Sequence, residues 1–324
     1  MDIPAPFQSV FAKWQAHEIT VLESNWTSTS KRHIGAKVKM PDGQFGFAKL
    51  ALNNARDWDE PDMLLGMQRE VWWSKVIHGL RQHRPSFPFT SPTVLQTNVE
   101  CANSNSEVSW IIFEHINGKP IVDWDVTTNL DQTNEELVQK FFRFVSKAVD
   151  CLFALNSITH NVVREVGMDD VPSLPHGSRR WLKKRFMDLD TAVLGNGAFE
   201  IGNIWETDDG QVVIMDNEFA GWYPRYDSLS YLYHRLYCNC RRPDMACYLC
   251  GEYVSRNDEV RGCQDDFYLR DLSRILQPRL LSGWYNDTVR RRLPPWHKNH
   301  RLRYWLYWHL RRNHLQVLFN KNFR

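Results

Sequence analysis

No stretch of this 324-residue chain approaches the run of about 18–20 apolar residues that a membrane-spanning helix needs. The first residues also lack a basic segment followed by an apolar one, so no secretory signal is read there. The cysteines number seven, and an odd count does not pair off into a disulfide framework. These absences point to a cytoplasmic protein with reduced thiols and no membrane span. Internal repeats and low-complexity segments are absent too. From Thr288 to the end there are ten Lys and Arg and neither Asp nor Glu, which leaves 30 basic against 38 acidic residues in the remainder.

What is present suits a folded protein with a sizeable core. Hydrophobic content of 43% and charged content of 24% are ordinary for a globular chain, and fourteen Trp add large buried area per residue. The length accommodates two domains or one two-lobed unit.

The pattern reads as a leading helix over 1–17, then strands over 19–23, 33–40 and 45–52. A polar loop rich in Ser and Thr joins the first two, and Pro41-Asp42-Gly43 turns the second into the third. Asp59-Glu60-Pro61 opens a helix that continues through residue 80, with Met67, Val71 and Ile77 or Leu80 near one face. Two more strands follow near 93–98 and 108–114. Apolar residues at 3–4 spacing then predict a long helix over 135–156. The expectation is a five-stranded antiparallel sheet with one helix, a short connector, and a mostly helical remainder.

Residues 194–222 are the most informative stretch. They read as a loop, a strand, an Asp-Asp-Gly turn and a second strand, with Asn203 before the first strand and Asp216 after the second. A Mg²⁺ ion needs hard oxygen ligands, and a hairpin of this kind brings an amide and a carboxylate together.

This layout resembles the protein-kinase-like fold, and most closely its aminoglycoside phosphotransferase and choline kinase branch. The resemblance covers roughly residues 19–235. It implies a bilobal α+β fold, with residues 1–116 as a nucleotide-binding lobe of sheet and helix and residues 117–324 as a helical lobe carrying the 194–222 hairpin. It implies ATP and Mg²⁺ as cofactors and a small-molecule hydroxyl as acceptor. Lys49 on the third strand would hold ATP phosphates, and Glu70 on the following helix would orient it. Ser28, Thr29 and Ser30 in the first hairpin loop would cover the phosphates, in place of the glycine triad that protein kinases carry there. Glu114 and Ile116 mark a hinge whose backbone would meet the adenine. Asn203 and Asp216 match the metal-ligand positions, and Glu218 falls where the branch carries a further acidic residue. Asp227 matches a residue that braces the catalytic loop, and it also reads simply as a helix N-cap.

One position departs from the pattern. Where the branch reads His-Gly-Asp followed five residues later by Asn, this chain has Asn196-Gly197-Ala198 and then Asn203. Ala198 therefore occupies the position of the family's Asp base. Three explanations stand: a nucleotide-binding pseudokinase acting as a regulatory module, an inactivated variant of an enzyme, or a displaced base at Glu200.

Two further features carry chemistry. Cys238, Cys240, Cys247 and Cys250 have gaps that suit tetrahedral Zn²⁺, although on helices they pack equally well as small apolar residues, and packing is the favoured reading. The basic, aromatic segment 293–324 suits nucleic-acid contact by stacking and phosphate pairing. Its apolar residues also recur at helical spacing, and a closing helix on the acidic lobe is preferred.

Overall fold

The computed structural model describes residues 5–25, 33–52, 63–99, 108–122, 135–168, 192–240 and 242–262. The Ser-rich loop with Ser28, Thr29 and Ser30, the Asp59-Glu60-Pro61 helix start and the basic segment 293–324 lie outside the described residues.

A five-stranded antiparallel sheet contains β1 (Thr20–Asn25), β2 (His33–Lys39), β3 (Phe45–Leu52), β5 (Val94–Thr97) and β6 (Val108–Glu114), in the spatial order β1-β2-β3-β6-β5. This is the sheet expected from the sequence. The β2–β3 turn forms where expected: Gly43 takes a φ of +89°, open to glycine without strain, and the Asp42 carboxylate accepts from the Gln44 N–H at 2.9 Å.

Each face of the sheet has its own helix, because strand side chains alternate. Ile34, Ala36 and Val38 on β2, with Ala48 and Leu50 on β3, pack against Phe7 and Trp14 of α1 (Ala5–Ala16). Ala51 on β3, with Ile111 and Phe113 on β6, packs against Met63, Met67 and Val71 of α2 (Met63–His83). Lys49, between Leu50 and Ala48 in sequence, falls on the α2 side.

Met67, Val71, Ile77 and Leu80 of α2 are all buried, and burial extends beyond the face they share. The buried residues of α2 run from Met63 to Leu80 on nearly every side. The physical reason is neighbours all round: Trp72 meets Trp222 edge-on at 6.3 Å, Trp73 stacks on Phe89 at 6.3 Å, and Gly79 lies against Val166. A helix apolar on all sides is a buried helix.

Two smaller sheets complete this part of the chain. One joins β4 (Phe89–Thr90), β10 (Val212–Ile214), β9 (Ile204–Thr207) and β7 (Gly118–Pro120) in that order, with β4 parallel to β10. The β9–β10 pair is the expected hairpin. The short connector after β6 contributes strand β7, which pairs with β9. The other sheet pairs β8 (Val193–Gly195) with β11 (Gly221–Tyr223).

The chain divides into two compact units. The first holds all three sheets, α1, α2 and the short α4 (His160–Glu165). The second is helical. It takes residues 121–153, which include most of α3 (Glu135–Ser157), together with α5 (Asp227–His234), a π-helical turn (Arg235–Asn239), α6 (Pro243–Ser255) and α7 (Asp258–Arg261). On α3, Phe141, Phe144, Val145, Ala148 and Leu152 are buried at 3–4 spacing, as its periodicity predicts. Tyr253 of α6 is fully buried against Phe153 and Tyr226. Cys240 and Cys250 are buried in this unit, and burial, reinforced by Cys247, pushes the Cys250 thiol well above its ordinary value. No helix among the described residues is long and apolar enough to cross a membrane.

Candidate active site

The site is built within the first unit, around Lys49. The β2–β3 register pairs Lys49 with Gly35, and the β3–β6 register pairs it with Ile111. Its side chain points to α2 and meets three carboxylates: Glu70 Oε1 at 2.5 Å, Glu218 Oε2 at 3.1 Å and Asp216 Oδ1 at 3.2 Å. Lys49, Glu70 and Glu218 are buried, whereas the Asp216 side chain is about half exposed. Glu70 comes from the middle of α2. One turn earlier is Gly66, where a Cβ would sit 3.3 Å from Glu218 Cβ. The missing side chain lets Glu218 close on the helix, so that two carboxylates from different elements reach one ammonium.

Three carboxylates around one cation set the electrostatics. Burial would pull the Lys49 ammonium down, but Glu70, Asp216 and Glu218 outweigh burial and hold it well above its ordinary value. Burial pushes Glu70 up to about 7. Lys49 pulls against that, and the other two carboxylates reinforce it. The three carboxylates lie within 4.8 Å of one another, a spacing compatible with a shared cation.

The hairpin sets Asp216. Ile204 pairs with Ile214, and the Met215 N–H donates to the Asn203 carbonyl at 2.8 Å, so Asn203 and Asp216 flank the open end of the hairpin. Asp216 itself has a φ of +54°, a left-handed conformation costing about 1–3 kcal/mol. Such strain persists where surrounding structure imposes it, and it aims the carboxylate at Lys49 instead of along the strand. The Asn203 amide N–H donates to the Ala198 carbonyl at 3.0 Å, which turns the amide oxygen away from that loop. Ala198 is buried, and its N–H donates to Asn196 Oδ1 at 3.2 Å. Ala198 is thus held through both its backbone N–H and its carbonyl, and its side chain is a methyl group.

A cavity of about 490 Å³ opens above this cluster. Lys49, Glu70, Asp216 and Asn217 form its charged and polar end. Phe47 and Phe113 from the five-stranded sheet, with Trp205 from the four-stranded sheet and Met215 just past β10, give it apolar walls. Glu114, His115 and Ile116 line its edge. The Glu114 carboxylate is committed to the Thr93 N–H at 3.0 Å, so that side chain is structural. The backbone of Ile116 has no hydrogen-bond partner among the described residues.

Comparisons with known proteins bear on this geometry. No protein-family model matches the sequence, and no curated protein matches it. Solved structures do match. Aminoglycoside phosphotransferase APH(4)-Ia is similar with a TM-score of 0.50 at 11% identity, over 88% of this chain and 93% of that one. The chain has a protein-kinase-like fold, of the aminoglycoside phosphotransferase type. A type I macrolide 2'-phosphotransferase scores 0.47 at 12% identity, over 89% of this chain and 93% of that one. An amicoumacin kinase, hAmiN, solved with AMP-PNP, Ca²⁺ and its ligand, scores 0.47 at 12% identity over 96% and 93%.

Within this kinase-like fold, the structure brings together Lys49, Glu70, Asp216, Glu114 and Ile116 at one cavity, with Asn203 and Ala198 joined to each other at the hairpin. Glu200 and Asp227 belong to the helical unit. The Arg235 guanidinium contacts Oε2 of Glu200 through both Nε and Nη2. The N-cap reading of Asp227 is corrected: Tyr226, at φ +71°, is the cap, and Asp227 is the first helical residue, where its charge favours the helix N-terminus. Phe47, Phe113, Trp205, Met215 and Asn217 were not singled out from sequence. For Phe47 a signal existed, since a residue two before Lys49 on a strand shares its face.

Proposed function

We propose that this protein binds Mg²⁺-ATP in the 490 Å³ cavity and follows the plan of a small-molecule phosphotransferase acting on a hydroxyl. The observation that carries this reading is the buried Lys49–Glu70 pair at the charged end of a cavity whose other walls are apolar. A planar base suits the apolar walls, and a polyphosphate suits the ammonium. Ile116 offers backbone groups to the edge of a base.

The donor set fits a divalent cation. Asp216 supplies a half-exposed carboxylate, and Asn203 supplies an amide oxygen, because its N–H is taken by Ala198. Both are hard oxygen donors of the type Mg²⁺ takes. When bound, the ion would neutralise phosphate charge. Lys49 would hold the phosphates and Glu70 would orient Lys49.

Ala198 supports a second reading, a nucleotide-binding module without turnover. The 196–198 loop keeps its hydrogen bonds to Asn196 and Asn203, so the backbone has a place for an acid but no side chain to act as one. Thermal stability with Mg²⁺-ATP, against ATP in EDTA, tests the binding reading: a metal-dependent rise that Lys49→Ala and Asp216→Ala abolish is expected, and no rise at millimolar ligand would sink it. Ala198→Asp separates the two readings. A gain of about 10²–10⁴-fold in phosphoryl transfer across a screen of hydroxyl acceptors indicates an enzyme plan lacking its base. No gain indicates a binding module.

A further inference from the structure

We propose that His78 is a positioning residue for the edge of the cavity, holding the backbone that would meet a base, an inference that rests on the nucleotide reading above. α2 is buried on nearly every side, and a polar side chain on such a helix is costly unless it is hydrogen-bonded. Glu70, Ser74 and His78 follow one another at intervals of four residues, so they form one stripe along α2. Each holds a different part of the cavity wall. Glu70 takes Lys49 at the charged end. The Ser74 hydroxyl donates to the Pro92 carbonyl at 2.8 Å, and Pro92 lines the cavity. His78 reaches the next residue, Thr93.

The hydrogen bonds run in sequence from the helix to the cavity edge. His78 Nδ1 lies 2.7 Å from the Ser74 carbonyl oxygen, which can only accept, so Nδ1 carries the proton. Nε2 of the neutral ring is then an acceptor, and the Thr93 hydroxyl donates to it at 3.3 Å. Thr93 meets Glu114 through its main chain twice. Its N–H donates to the Glu114 carboxylate at 3.0 Å, and its carbonyl accepts from the Glu114 N–H at 2.8 Å. Glu114 lines the cavity together with His115 and Ile116. α2 is therefore fastened to both ends of the cavity, through Glu70 at the ammonium and through His78 at the edge. An edge held in place before binding spares a base the cost of ordering it. A ligand that is all phosphate gains nothing from that edge.

The test measures the affinity of the whole protein for two probes, Mg²⁺-ATP and Mg²⁺-tripolyphosphate, the second having no base. His78→Ala is expected to weaken ATP about three- to tenfold, the scale of one net side-chain hydrogen bond, and to leave tripolyphosphate unchanged. His78→Gln places an amide where Nε2 lies and should keep most of the ATP affinity. Thr93→Val removes the hydroxyl at nearly constant shape and should match His78→Ala, which keeps the test available if the larger truncation fails to fold. The His78→Ala/Thr93→Val double variant should lose no more than either single one. ATP affinity unchanged in His78→Ala and Thr93→Val, fully additive losses in the double variant, or an equal loss for both probes overturns the positioning role while the nucleotide reading stands. If the unmodified protein binds neither probe, the nucleotide reading fails and this inference falls with it.

Discussion

Two shielded carboxylates in this molecule are each held by a cation, yet their surroundings differ in kind. Glu200 faces the Arg235 guanidinium within the helical unit. Glu70 faces Lys49 in a cluster where Asp216 and Glu218 share the same ammonium. That pair matches one charge of each sign and joins the loop before β9 to the turn after α5. The Lys49 cluster holds an excess of negative charge in a buried place. Folding stability alone favours charge balance, since each unpaired buried charge costs several kcal/mol. An unbalanced cluster beside a cavity is the kind of arrangement kept for something that arrives from outside.

The comparison breaks most sharply at Lys49. Lys49→Ala leaves three carboxylates without a cation and is expected to cost about 3–5 kcal/mol in denaturant unfolding, the scale of breaking a buried pair. If instead stability is unchanged, the cluster was never ionised as a group. Glu200→Ala removes a partly exposed pair, so a smaller loss of about 1–3 kcal/mol is expected. It should leave the Mg²⁺-ATP stabilisation intact. Loss of phosphoryl transfer in Glu200→Gln, with that stabilisation retained, would identify Glu200 as the displaced base.

The pH dependence sharpens the same contrast. Glu70 has a folded value near 7, above the 4.5 of an unperturbed Glu. Protonated Glu70 therefore favours the folded state. Its contribution is full below about 4.5 and is lost as pH rises through about 7. Unfolding measured in EDTA should show a declining limb in that window, absent in Glu70→Gln. Lys49 shifts in the same direction in a higher window: held well above 10.5, it stabilises below that value and its contribution is lost in strong base. The smallest effect expected is for Glu218→Gln, under about 1 kcal/mol, because relief of repulsion offsets the lost Lys49 contact. The declining limb should shift to lower pH in that variant.

Much of the fold was legible because it rests on local signals. The alternation of Ile34, Ala36 and Val38, the Pro-Asp-Gly turn and the 3–4 spacing along α3 each report a side-chain period that needs no partner to be read. The same held for the pairing of Asn203 with Asp216, since a hairpin's ends meet by construction. Strands β4, β7, β8 and β11 were not legible. They are two or three residues long, and so short a strand exists only because another strand borders it. The all-round burial of α2 was hidden for the same reason: Trp72 and Trp73 read as surplus aromatics until β11 and β4 are placed beside them.

At the site, the residue types at positions 49, 70, 203 and 216, and the methyl group at position 198, are properties of the sequence alone. They determine which functional groups are available there. The tertiary structure decided what those residues share. It placed Glu218 against Gly66 so that a third carboxylate joined Lys49, and it gave Glu200 to Arg235. Sequence spacing reports contacts within an element or across one turn. Contacts between residues separated by more than a hundred positions depend on which helix and which sheet the chain has folded against.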